Sequence, residues 1–148
     1  MTLQEMFNKA QEHFAQMDRP SMSTPSEYGG SDCAYRGHEG NKCIVGAFID
    51  DEHYDRSFEN KGVLEFSTLG KAPVRGDTCG VQIVLNAVAA SMGVEALDED
   101  QANLLFQLQL IHDDYSDGFD INDADWYNVV EPHLMDLADK CNLVYKEV

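Results

Sequence analysis

Apolar residues recur at helical spacing, every three to four positions, along four stretches of the chain. In residues 2–17, Leu3, Met6, Phe7, Ala10, Phe14 and Met17 fall on one face. Thr2 and Glu5 have capping-box spacing, in which hydroxyl and carboxylate each satisfy a free backbone N–H. Asp18-Arg19-Pro20 ends this helix. A second helix is predicted from Thr78 to Met92, capped by Asp77 or Thr78 and stopped by Gly93. Its stripe is Val81, Val84, Leu85, Val88, Ala89 and Met92. A third runs from Glu99 to Asp113 behind an Asp98 cap. Leu104, Leu105, Leu108 and Ile111 face inward, and Phe106 and Leu110 widen the stripe. A fourth runs from Asp123 to Cys141 with Asn122 as cap, burying Trp126, Val129, Val130, Leu134, Leu137 and Cys141. Pro132 lies inside it and should kink or break it.

Elsewhere the pattern changes. Residues 18–32 are polar and rich in Ser, Pro and Gly, which predicts a mobile loop. Residues 33–49 read as a β-hairpin: Cys33 to Arg36, a turn through Gly37, Gly40 and Asn41, and a return from Lys42 to Ile49. With Arg36 facing Lys42, residues Cys33, Tyr35, Cys43 and Val45 share one face. The return strand is apolar on both faces, so burial on both is expected. Asp50 to Tyr54 reads as a single capped turn, and residues 55–76 as irregular with one short element at Val63 to Leu69. The expected fold is therefore α+β, with about four helices packed on a short antiparallel hairpin sheet, in one domain over residues 1–148.

Composition sharpens this picture. At 148 residues and 43% hydrophobic, the chain can build a core without staples. No run approaches the roughly 20 apolar residues of a membrane span. The first residues carry neither the basic nor the apolar region of a secretory signal. The four cysteines then read as reduced thiols in a cytoplasm.

Net charge is −17 and unevenly spread. Residues 76–148 hold 15 acids against 2 bases, net −13, and Glu95 to Asp125 holds ten acids with no Lys or Arg. Direct binding to nucleic acid or anionic lipid needs basic patches, so it is not expected. A basic partner is compatible. The plainer account is that the acids solvate exposed helix faces and a loop.

Candidate chemistry is sparse, and no cofactor or metal is expected. The segment His112 to Asp120 resembles a calcium loop. Counted from Asp113, however, Asp117 and Gly118 fit the EF-hand pattern while Tyr115 and Ala124 break it. Cys33 and Cys43 lack zinc-knuckle spacing, although a site with His53 is conceivable; buried thiols are the simpler reading. Cys79 in a first helical turn would have an acidified thiol, with His112 or His133 as base and Asp113 as orienter. No nucleotide-loop or serine-hydrolase motif is present. Arg36 and Lys42 flank the hairpin turn and either pair with Asp50, Asp51 or Glu52 or hold an anionic small ligand.

Cys33-Ala34-Tyr35-Arg36-Gly37, Gly40, Lys42-Cys43, Val45-Gly46, Ile49, Asp51-Glu52 and Tyr54 together resemble a family of small proteins from tailed phages, prophages and bacteria. Leu108 to Asp114 resembles a second motif of that family. The resemblance implies a phage or mobile-element accessory protein in a bacterial cytoplasm, and carries over no activity and no catalytic residue.

Three functions are thus expected, in falling order. The first is a non-catalytic acidic binder or inhibitor of a basic host protein, one that itself binds nucleic acid in the sharpest form of the idea. It would use acids such as Asp98, Glu99, Asp113, Asp114, Asp117 and Asp120. The second is a module for an anionic ligand or nucleotide at Arg36 and Lys42. The third is a thiol- or metal-dependent enzyme. Oligomeric state is not fixed by the sequence.

Overall fold

A computed structural model describes residues 1–21, 35–37, 40–60, 79–116 and 119–147. Five α-helices lie among them: α1 (Leu3–Gln16), α2 (Ile44–Ala47), α3 (Cys79–Ser91), α4 (Glu99–Ser116) and α5 (Trp126–Lys140). Short 3-10 turns cover Asp51–His53 and Arg56–Asn60.

The local signals explain most of this. Thr2 and Glu5 form the capping box: the Glu5 N–H donates to Thr2 Oγ1 at 3.1 Å, and the Thr2 N–H to Glu5 Oε2 at 2.6 Å. Asp98 and Gln101 do the same for α4, at 2.8 and 3.0 Å. Helix α3 ends where Gly93 turns to φ +75°, with the Val94 N–H reaching back to the Ala89 carbonyl at 3.0 Å. Helix α5 ends alike. Asn142 takes φ +55°, and the Leu143 N–H bonds the Ala138 carbonyl at 2.8 Å.

Helix α4 is central and packs against α1, α2 and α5, while α1 also meets α2 and α5. Met6, Phe7, Ala10 and Phe14 from α1 join Leu104, Leu105 and Leu108 from α4 and Val130, Leu134 and Leu137 from α5 in one core. Helix α3 packs on the two 3-10 turns. No described helix is long and apolar enough to cross a membrane.

The expected α+β fold is corrected here. Among the described residues there is no strand and no sheet, only an isolated antiparallel bridge between Arg36 and Lys42. The turn keeps part of its expected chemistry: the Gly37 N–H donates to the Asn41 carbonyl at 2.8 Å and Gly40 takes φ +77°, whereas Gly37 and Asn41 do not take the positive φ expected of them. The return segment, however, coils into α2. Ile44, Val45, Phe48 and Ile49 are all buried, and their spacing suits a helical turn as well as a strand. Cys43 caps α2, its Sγ accepting the Gly46 N–H at 3.4 Å. Gly46 decides the packing, because a Cβ there would lie 2.0 Å from the Tyr35 carbonyl oxygen. Only glycine lets the two backbones meet so closely.

Smaller corrections follow. Helix α4 runs three residues past Asp113, and α5 begins at Trp126 with Asp125, not Asn122, as its cap. Val129 and Cys141 are half-buried, and Ala138 is buried instead. Helix α5 is continuous through Pro132. Pro20 and Ser21 of the expected mobile loop are buried; residues 22–32, the element at Val63 to Leu69 and the α3 cap lie outside the described residues.

Candidate functional site

Arg36 and Lys42 meet as the hairpin reading expected, and both turn toward Asp51. Arg36 Nη1 bonds Asp51 Oδ1, and Lys42 Nζ lies 3.9 Å from the same oxygen. Arg36 Nη2 donates to the Ile49 carbonyl at 2.7 Å, and the guanidinium lies over the Tyr54 ring, 4.6 Å from its centre. Glu59 closes the cluster from the second 3-10 turn. Its carboxylate accepts the backbone N–H groups of Tyr35 and Arg36 at 3.0 and 3.1 Å, and the Tyr54 hydroxyl. The hydrogen bond from Arg36 holds the Asp51 carboxyl below the usual carboxylate range. Burial, then Glu59, pushes the Tyr54 hydroxyl up. Within this cluster, Arg36 Nε is the one described side-chain atom buried without a partner. The geometry favours the internal ion pair over an anionic ligand at these two cations.

The second motif builds a buried polar chain on α4. His112 is fully buried. Its Nε2 accepts the Ser21 N–H at 2.9 Å, so Nδ1 carries the proton and donates to Asp113 Oδ1 at 2.9 Å. Gln109 Nε2 donates to the same Asp113 oxygen at 2.7 Å, and Gln109 Oε1 accepts the Val45 N–H at 2.9 Å. The two stretches therefore touch: α4 holds α2 through Gln109 and the 18–21 segment through His112. His13 lies alongside, bonded to the Lys42 carbonyl at 2.6 Å, and burial lowers its pKa. Every ring nitrogen of His112 is engaged, which leaves none free as a catalytic base in this arrangement.

The other chemical expectations resolve in the same way. A calcium loop starting at Asp113 would need irregular chain there, yet residues 113–116 are helical. Cys43 is a buried helix cap. Cys33, Asp117, Gly118 and the Cys79 side chain lie outside the described residues. His133 stacks on Tyr115 with ring centres 4.1 Å apart. Asp50, Glu52 and His53 bring one donor atom each within 4.8 Å of one another on an exposed turn, a set able to offer a cation three ligands.

The expected acidic residues do not form one patch. Asp98 is the α4 cap and Glu99 follows it, whereas Asp113 and Asp114 lie at the far end of this 18-residue helix, roughly 20 Å along its axis. Asp120 lies in the connection to α5, where its side chain accepts the Asn122 N–H at 2.9 Å. Asp114 and Asp120 are exposed, and Asp113 belongs to the buried chain.

What the sequence reading missed is the place where α1 ends against the start of α5. There an open depression of about 420 Å³ is lined by Met17, Asp18, Ile121, Asp123, Asp125 and Trp126, among others. Asp123 and Asp125 come from the acid-rich window. Asp18 comes from the other end of the chain and no local signal points to it. Trp126, at 1% exposure, packs edge-on against His112 and Phe119 with ring centres 5.8 and 5.2 Å away. Its indole N–H is buried without a partner. An unpaired buried donor costs about 1–3 kcal/mol, and native interiors hold few of them. Comparison of the chain with protein families, curated proteins and solved structures gives no match. The functional reading therefore rests on the residues themselves.

Proposed function

We propose that this protein is a non-catalytic acidic binder, a phage-type accessory protein that engages or inhibits a basic protein in a bacterial cytoplasm. One observation carries the reading. From Glu95 to Asp125, no described carboxylate pairs with a Lys or Arg; Asp113 instead accepts hydrogen bonds from the neutral His112 ring and from Gln109. The Lys and Arg ion pairs among the described residues involve Asp51 and Asp136. Carboxylates held for internal structure find partners, as Asp51 and Glu59 do. A surface of unneutralised carboxylates repels itself and attracts cations, so a basic partner gains from both effects. Such attraction speeds association and weakens with salt.

The competing ligand reading has less support, because the Arg36 guanidinium is already committed to Asp51, Ile49 and Tyr54. The decisive experiment expresses the tagged protein in a bacterial host, isolates it at low salt and identifies what salt releases. A single basic host protein in stoichiometric amount is expected. A preparation that carries no protein, but holds a small molecule or metal, would replace the binder with a ligand module or an enzyme.

A further inference from the structure

The acidic-binder reading does not say where a partner would sit, and the expected acids are spread over both ends of α4. The depression between α1 and α5 differs from the rest of the acidic surface in three respects. Its carboxylates converge from two distant parts of the chain: Asp18 follows α1, while Asp123 and Asp125 precede α5. Neither Asp18 nor Asp123 has an ion-pair partner among the described residues, and Ile121, about half exposed on the rim, offers apolar contact. Beneath them lies a donor with nothing to donate to, the Trp126 indole N–H.

A carboxylate rim asks for cations, and a buried indole N–H asks for an acceptor. Inorganic cations and polyamines answer only the first. A basic polypeptide answers both, since each residue brings a carbonyl oxygen along with its charged side chain. Resting on the acidic-binder reading, we propose that this depression is the docking site for a Lys- or Arg-rich segment of the partner protein. A cationic side chain lies between Asp18 and Asp123, and a backbone carbonyl accepts the Trp126 Nε1–H. That N–H is closed to solvent in the free chain, so the contact requires the chain that covers it to move aside.

The test titrates a fluorescein-labelled, end-capped hexa-arginine peptide with the full chain and reads anisotropy at low and near-physiological salt. Trp126 is the only tryptophan in the chain, so its intrinsic emission reports the site directly with unlabelled peptide. The wild type is expected to bind saturably, with a shift in that emission. The pair Asp18→Asn and Asp123→Asn should weaken binding about tenfold or more. Asp98→Asn with Glu99→Gln, at the other end of α4, should leave it within about twofold. Trp126→Phe, checked for folding by circular dichroism, should weaken it several-fold by removing the donor. Unchanged affinity in the Asp18 and Asp123 double variant overturns the docking site; if the Asp98 and Glu99 variant weakens instead, the acidic-binder reading survives without it. Unchanged affinity in Trp126→Phe overturns the indole contact. No binding by the wild type at either salt removes both the site and the reading beneath it.

Discussion

Around Arg36 and His112 nearly every polar atom is used inside the chain, whereas the carboxylates at Asp114, Asp120 and Asp123 have no cationic partner among the described residues. The first region holds the residues that looked most like chemistry: a paired arginine and lysine, a His-Asp step, a buried cysteine. Each is explained by what it holds in place. Glu59 and Asp51 fix Arg36; Gln109 and Asp113 join α4 to α2; His112 pins the 18–21 segment. The second region looked like ordinary solvated surface and keeps its charge unspent. Unusual residues at a buried position are first a statement about packing; the carboxylates that packing leaves without a cation stay on the surface, where the proposed partner would meet them.

The contrast can be broken most forcefully at Gly46. If the close approach to Tyr35 is structural, Gly46→Ala should lower stability by about 3 kcal/mol, visible as a large drop in melting temperature. A melting temperature within a degree or two of the wild type would mean that α2 does not pack as described. Next comes Gln109→Leu, which strands the Val45 N–H and removes one donor from Asp113. A loss of about 2 kcal/mol in denaturant unfolding is expected. A neutral result would show that the buried chain is ornamental.

A smaller effect concerns pH. Burial depresses the His13 pKa below its ordinary 6.5. The unfolded chain therefore takes up a proton on this ring first as pH falls. The His13 contribution is present above about pH 6.5 and is lost as pH drops through the folded value. Between about pH 7.5 and 5.5, the wild type should lose more stability than His13→Gln, which keeps a donor for the Lys42 carbonyl. Equal losses would place the pH sensitivity elsewhere. The smallest effect sharpens the other side of the comparison. Asp114→Asn with Asp123→Asn should change stability by no more than about 0.5 kcal/mol, since neither side chain has a described partner.

The helices were legible because period and punctuation agreed: Thr2 with Glu5, Asp98 as a cap, Gly93 as a stop. The start of α5 was less so. Asn122, Asp123 and Asp125 are all good caps, and Asp125 is the one that sets Trp126 in the first turn and under Phe119 and His112. Helix α2 was misread as a strand because an apolar run as short as Ile44 to Ile49 satisfies both periods, and the arbiter is a tertiary contact between Gly46 and Tyr35. The same limit hid the depression. Asp123 and Asp125 stood in the acid-rich window, but Asp18 joins them only through the packing of α1 against α5.

The claim that matters most is that the acids left unpaired are there for a basic partner. Its most direct test repeats the low-salt isolation from the bacterial host with Asp18, Asp114, Asp120 and Asp123 all changed to Asn, beside the wild type. The account predicts a folded variant of unchanged stability that no longer retains the basic protein the wild type carries. A variant that retains that protein in full would contradict it.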